Sequence, residues 1–142
     1  MCRHRFGVLN DLHNELVSEG ITDIHFMGMN GFQYIADSNG CMMCTEPELC
    51  SNCEDVHHLP WTQDYDDGLN CDNDNIGLCE ADDTLGDVWD MWDITLRDLV
   101  ILDRDGRYVT KINLTSTNPD PSSTCGQNYE TIKELLISIR NQ

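Results

Sequence analysis

The chain has 142 residues, 39% of them hydrophobic, and a formal net charge of −18. That length suits one domain with a single sizeable core, and a surface this acidic repels nucleic acid and anionic membranes while attracting cations or a basic protein partner. No apolar run approaches the roughly 20 residues of a membrane span.

In chain order, Val8, Leu9, Leu12, Leu16 and Val17 fall at helical spacing on one face, and Gly20 follows as a stop. His13 falls on the polar side of this helix, where water would solvate it. Ile24 to Met29 is a short apolar run that predicts a buried strand, and Asn30-Gly31 and Asn39-Gly40 mark turns. From 37 to 83 the periodicity disappears, and Cys, Asp, Asn and Gly dominate. A stretch this long inside a compact domain needs something to tie it down.

Leu85, Val88, Trp89 and Trp92 then predict a short helix that buries both tryptophans. Leu99 to Leu102 reads as a strand, Asp103-Arg104-Asp105-Gly106 as a hairpin turn, and Tyr108 to Leu114 as the returning strand. Ile132, Leu135, Leu136 and Ile139 make one apolar stripe on a last helix. The order helix, strand, long segment, helix, hairpin, helix describes an α/β sandwich spanning 1–142, with 37–83 as a Cys-rich acidic insertion.

Eight cysteines fall in two kinds of place. Cys2 stands at the start of the first helix, where unpaired backbone N–H groups and the positive dipole end favour a thiolate. Arg3, His4 and Arg5 beside it would help to hold that charge. Cys41, Cys44, Cys50, Cys53, Cys71 and Cys79 crowd the acidic segment, and Cys125 precedes the last helix. So many thiols point to disulfides in an oxidising, secreted or extracellular setting. No apolar leader opens the sequence, so that setting implies a chain that begins inside a longer one.

The pairs Cys41-Met42-Met43-Cys44 and Cys50-Ser51-Asn52-Cys53 also have the ligand types of a zinc site, although only five residues separate them. Met42, Met43, His57 and His58 add ligands that suit copper or mixed zinc. No other cofactor is implied. Between Cys71 and Cys79, Asp72, Asp74 and Gly77 sit at calcium-loop offsets, but Ile76 occupies a place that wants oxygen, and a small disulfide loop fits better. Asn113-Leu114-Thr115 is a glycosylation triplet that makes Asn113 a candidate acceptor.

Several stretches are similar to the N-terminal domain family of selenoprotein P. They are Leu9-Asn10-Asp11-Leu12 through Glu19-Gly20 to Ile24 and Asn30, Asp87-Val88-Trp89, and Leu99-Val100-Ile101-Leu102-Asp103-Arg104-Asp105-Gly106-Arg107. Nothing between Asp37 and Asp83 matches that family. The resemblance implies a thioredoxin-like sandwich lacking its first strand, with thiol-disulfide or peroxide reduction as the parent activity.

In that family a selenocysteine or cysteine, two residues and a cysteine precede the first helix. Carried over, Cys2 takes the trailing, resolving position, and the leading residue falls upstream of Met1. A selenocysteine there requires an in-frame stop-type codon two codons before that of Met1. The chain as given is then expected to be inactive or weak on a thiol, disulfide or peroxide substrate. Arg97 falls where many thioredoxin-fold enzymes place a cis-proline, which puts ordinary thioredoxin-type docking in doubt. The rival reading is a non-catalytic extracellular module that binds a partner, or a metal, through its acidic Cys-rich segment.

Overall fold

The structure, a computed structural model, describes residues 2–46, 48, 56–65 and 87–142, and at Cys2, Arg3, Asp87 and Asp90 the backbone alone. The fold is mixed α/β. It forms two compact units, one of Met1–Phe26 with Leu96–Gln142 and the other Met27–Thr95. Among the described residues, each unit has one two-stranded sheet.

The first unit is built on α1 (Cys2–Ser18), β3 (Asp98–Leu102), β4 (Tyr108–Asn113) and α4 (Gln127–Arg140). Its apolar interior comes from Phe6, Val8, Leu9, Leu12 and Leu16 of α1, then Phe26, Ile101, Leu114, Tyr129, Ile132, Leu136 and Ile139. Val17 is exposed, because the buried face of α1 turns through Arg5, Phe6, Leu9, Leu12 and Leu16 and leaves position 17 outside it. His13 is half-buried, not solvated. Its ring meets Phe26 edge-on with centroids 5.8 Å apart, and Nδ1 is buried without a hydrogen-bond partner.

β3 and β4 pair antiparallel as the alternation predicts, with Leu99 opposite Ile112 and Ile101 opposite Thr110. The register shifts after Ile101, so that Leu102 faces Tyr108 and Val109 bulges. Gly106 takes φ 78° in the connecting turn, where an L side chain would be strained. Asp103 closes that turn by accepting the backbone N–H groups of Asp105 and Arg107, each at 2.9 Å. These bonds, with Arg107 the larger cause, hold the Asp103 carboxyl below its ordinary value.

Four side-chain bonds tie α1 and its following loop to α4. Lys133, 9% exposed, donates from Nζ to Glu15 Oε1 and Glu19 Oε1 at 2.6 Å each. The Tyr129 hydroxyl donates to Glu15 Oε2 at 2.6 Å, and Arg140 Nε to Asp23 Oδ1 at 2.5 Å. The Lys133 bond, followed by that of Tyr129, lowers the Glu15 carboxyl. The Lys133 ammonium is raised chiefly by Glu15, and the Tyr129 phenol chiefly by burial.

In the second unit, β1 (Gly28–Asn30) pairs parallel with β2 (Trp61–Gln63), Gly28 opposite Trp61 and Asn30 opposite Gln63. The sequence run from Ile24 to Met29 therefore yields a strand only at its end. Gly28 has no room for a side chain, because a Cβ there would stand 1.7 Å from Trp61 Cε3. Two further elements are α2 (Asn39–Met43), which lies where periodicity is absent, and α3 (Asp87–Met91). Ser38 caps α2, its Oγ accepting from Gly40 N at 3.2 Å.

Trp89 of α3 is buried and meets Tyr34 edge-on, with centroids 6.4 Å apart, whereas Trp92 is half-buried, just past the end of α3. Asp64, only 3% exposed, holds the start of α3. Its Oδ1 accepts from Tyr65 N at 2.9 Å and Val88 N at 3.2 Å, and its Oδ2 from Trp89 N at 3.0 Å. A carboxylate distant in sequence thus satisfies amides that a helix cannot bond for itself.

Candidate functional site

The amino end of α1 carries the first candidate. A 17-residue helix forms here because apolar residues recur at its spacing and no proline interrupts it. Cys2 opens this helix, so its backbone stands where the sequence places it. Its side chain lies outside the described atoms. The first turn contains no acidic residue, although the helix dipole favours acids there. It carries Arg3, His4 and Arg5 instead.

His4 has an anionic partner. Its Nε2 donates to Asp120 Oδ2 at 2.6 Å, and this bond, ahead of two from Ser122, lowers the Asp120 carboxyl from 3.8 to about 2. Asp120 Oδ1 accepts from Ser122 N and Ser122 Oγ, both at 2.8 Å. Arg5 differs. It is 9% exposed, and its Nε and Nη1 are buried without a hydrogen-bond partner. Among the described residues, no carboxylate forms an ion pair with it.

The loop that holds Asp120 leads to Cys125. Asn118 O accepts from Asn128 Nδ2 at 3.0 Å and from Ser123 Oγ at 3.4 Å, which folds the loop back onto the start of α4. Pro119 is fully buried within it. Cys125 is a free, exposed thiol at φ 51°, followed by Gly126 at φ 83°. It is therefore not in a disulfide, contrary to the sequence expectation, because the chain turns here through two successive left-handed residues on the surface. His4 and Cys125 thus both belong to the first unit, with Pro121 to Thr124 separating Cys125 from Asp120, the partner of His4.

The cysteines of the acidic segment behave differently. Cys41 and Cys44 are each disulfide-bonded, and Cys44 is 4% exposed at the left-handed end of α2. A disulfide sulfur has no thiolate to offer a metal, so in this state neither can serve as a zinc ligand. Cys50, Cys53, Cys71 and Cys79, with the calcium-like run Asp72 to Gly77, lie outside the described residues. Met42 and Met43 are half-buried in α2, His57 N donates to Met43 O at 2.9 Å, and His58 is exposed. Among the described residues, no group of three or more His, Cys, Asp or Glu side chains is arranged to hold a metal ion.

Asn113 ends β4 with its amide engaged. Nδ2, the atom a glycan would occupy, donates to Asp98 Oδ1 at 2.7 Å and to Leu96 O at 3.3 Å. Arg97 sits at φ 74° immediately before β3 and donates from Nη1 to Thr115 Oγ1 at 3.3 Å. Among the described residues, no helix is long and apolar enough to cross a membrane.

Sequence reasoning missed Asp120 and the isolation of Arg5. Asp120-Pro121-Ser122-Ser123 has turn composition and so signals a loop, but no local pattern assigns His4 as its partner. Comparison with protein-family models, with curated proteins and with solved structures gives no match.

Proposed function

We propose that the chain is a secreted thiol-redox domain of thioredoxin-like class, similar to the N-terminal domain of selenoprotein P, with Cys2 as its resolving thiol. The observation that carries this reading is that Cys2 begins a long helix whose first turn has Arg3, His4 and Arg5 and no acid, where acids are favoured. Disulfides at Cys41 and Cys44 support the oxidising setting.

In the parent reaction a leading selenolate or thiolate attacks a substrate disulfide or peroxide. It releases a thiol or an alcohol and is left as a mixed disulfide, selenenyl-sulfide or oxidised acid. Cys2 then attacks that atom. The second substrate thiol or water leaves, and the dyad keeps the new bond until a dithiol reductant returns two electrons and two protons. The resemblance assigns the leading position to a residue upstream of Met1.

The test is insulin-disulfide reduction with a form that carries cysteine two residues before Met1. Turnover should appear in that form, fall to background in its Cys2→Ser variant, and be weak or absent in the chain as given. Full activity of the Cys2→Ser variant would overturn the assignment. The net charge of −18 favours a second reading, an extracellular module that binds a basic protein through its acidic segment. In that case the extended form would show no Cys2-dependent turnover, yet binding to a basic protein would persist and weaken with salt.

A further inference from the structure

We propose that Asn39 is a self-modification site, at which the Gly40 amide nitrogen attacks the Asn39 side chain and releases ammonia. The inference goes beyond the redox reading and does not rest on it.

The chain contains two Asn-Gly pairs, Asn30-Gly31 and Asn39-Gly40. A glycine after asparagine has no Cβ to keep its amide away from the side-chain carbonyl, so both pairs have the chemistry. Their surroundings differ. Asn30 Nδ2 donates to Tyr34 O at 2.9 Å and to Gln63 Oε1 at 3.0 Å. Gln63 Nε2 in turn donates to Asn30 O at 3.2 Å and Gly31 O at 3.0 Å, and Asp64 N to Asn30 O at 2.7 Å. Turning the Gly31 amide onto the Asn30 side chain would break these bonds and the β1–β2 pairing with them.

At Asn39 the bonds favour reaction. Trp61 Nε1 donates to Asn39 Oδ1 at 2.8 Å, and among the described residues Asn39 Nδ2 has no partner. The indole thus polarises the carbonyl under attack and stabilises the oxyanion that develops on it, while the departing nitrogen is not held. On the attacking side, Gly40 N donates to Ser38 Oγ at 3.2 Å, and Ser38 Oγ donates to Glu46 Oε2. A carboxylate therefore stands one hydroxyl away from the amide proton it has to draw off. Glu46 packs against Gly40 itself, since a Cβ there would stand 2.5 Å from Glu46 Cδ. With five residues, α2 is too short to hold its first turn unaided. The Gly40 amide can swing toward a side chain that Trp61 keeps in place.

In the reaction Gly40 N bonds to Asn39 Cγ and closes a succinimide ring, and its proton passes through Ser38 to Glu46. The Cγ–Nδ2 bond then breaks, and Nδ2 takes up that proton and leaves as ammonia. Water opens the ring at either carbonyl, giving aspartate or isoaspartate at position 39. Nothing is oxidised or reduced. The isoaspartyl product lengthens the main chain by a methylene between Ser38, which caps α2, and the disulfide-bonded Cys41. α2 thus carries a one-way chemical clock at its start.

The experiment incubates the folded chain at neutral pH and follows both asparagines by peptide mass spectrometry, which reads the change of amide to acid and identifies isoaspartate by fragmentation. Asn39 should convert at least about tenfold faster than Asn30, and in guanidinium chloride the two rates should converge, because only the fold distinguishes them. Trp61→Phe, which removes the donor, and Glu46→Gln, which removes the base, should each slow Asn39 about tenfold. Circular dichroism reports whether each variant folds, and the wild-type ratio remains a test if either does not.

Equal rates at the two asparagines in the folded chain, or faster loss at Asn30, would overturn the proposal. So would a preference for Asn39 that persists in denaturant, since neighbouring sequence would then account for it. An Asn39 rate unchanged in either folded variant would refute the roles given to Trp61 and Glu46 and the proposal with them.

Discussion

Replacing Lys133 by Met removes the ammonium that joins Glu15 and Glu19 while preserving most of the buried aliphatic stem. The two carboxylates it leaves have side chains 38% and 43% exposed, so water takes over their solvation. Screening at that exposure limits the loss to about 1 kcal/mol. Glu15→Ala breaks the same pair from the other side. The Lys133 side chain, 11% exposed, then keeps one partner in place of two, and the Tyr129 hydroxyl loses its acceptor. A polar group orphaned where it is largely buried costs roughly 1–3 kcal/mol, so Glu15→Ala should cost about 2–3 kcal/mol in total.

Urea denaturation followed by circular dichroism at pH 7 measures both. The reasoning fails if Lys133→Met costs as much as Glu15→Ala, or if neither departs from wild type.

The pH dependence carries the same logic. The Glu15 carboxyl is lowered from 4.5, so its contribution is present above that value and lost as pH falls through the folded one. The Lys133 ammonium is raised from 10.5, so its contribution is complete below that value and lost as pH rises through the folded one. The difference between wild type and Lys133→Met should therefore be flat from pH 4.5 to 10.5 and shrink on both sides.

Gly28→Ala places a Cβ 1.7 Å from the Trp61 ring, and the forced shift of ring or strand should cost about 1–3 kcal/mol, measured by denaturation. Trp61→Leu in the same chain should recover part of that loss, and a neutral Gly28→Ala would refute the close approach. Asp64→Asn exchanges one acceptor oxygen for an amide that faces the N–H groups of α3. Urea titration should show a loss of about 1–3 kcal/mol, with Trp fluorescence changing first in this unit. In His4→Ala the Asp120 carboxyl should titrate above its value of about 2 by carboxyl NMR, yet stay under 3.8 because the Ser122 bonds remain. An unchanged titration would mean that His4 is not its principal partner.

The elements readable in the sequence are those that local periodicity specifies. α1, α4 and the β3–β4 hairpin lie within a few residues of their expected places because their stripes, alternation and turn are continuous in the chain. β1 was legible only at its end and β2 not at all. A three-residue strand shows no alternation, and its parallel partner lies 33 positions away, Gly28 opposite Trp61. At the candidate site, Cys2 and the basic first turn could be read directly. The pairing of His4 with Asp120 could not, since it spans 116 positions. The solitude of Arg5 was invisible for another reason: a charged residue beside Phe6 reads as the solvated border of an amphipathic helix, and only burial shows otherwise.

The bonds from Asp64 to Val88 and Trp89 fasten together two points more than twenty residues apart along the chain. Because Asp64 directly follows β2, that strand positions the first turn of α3 through one side chain, and a change at residue 64 reaches the helix without passing along the chain between them.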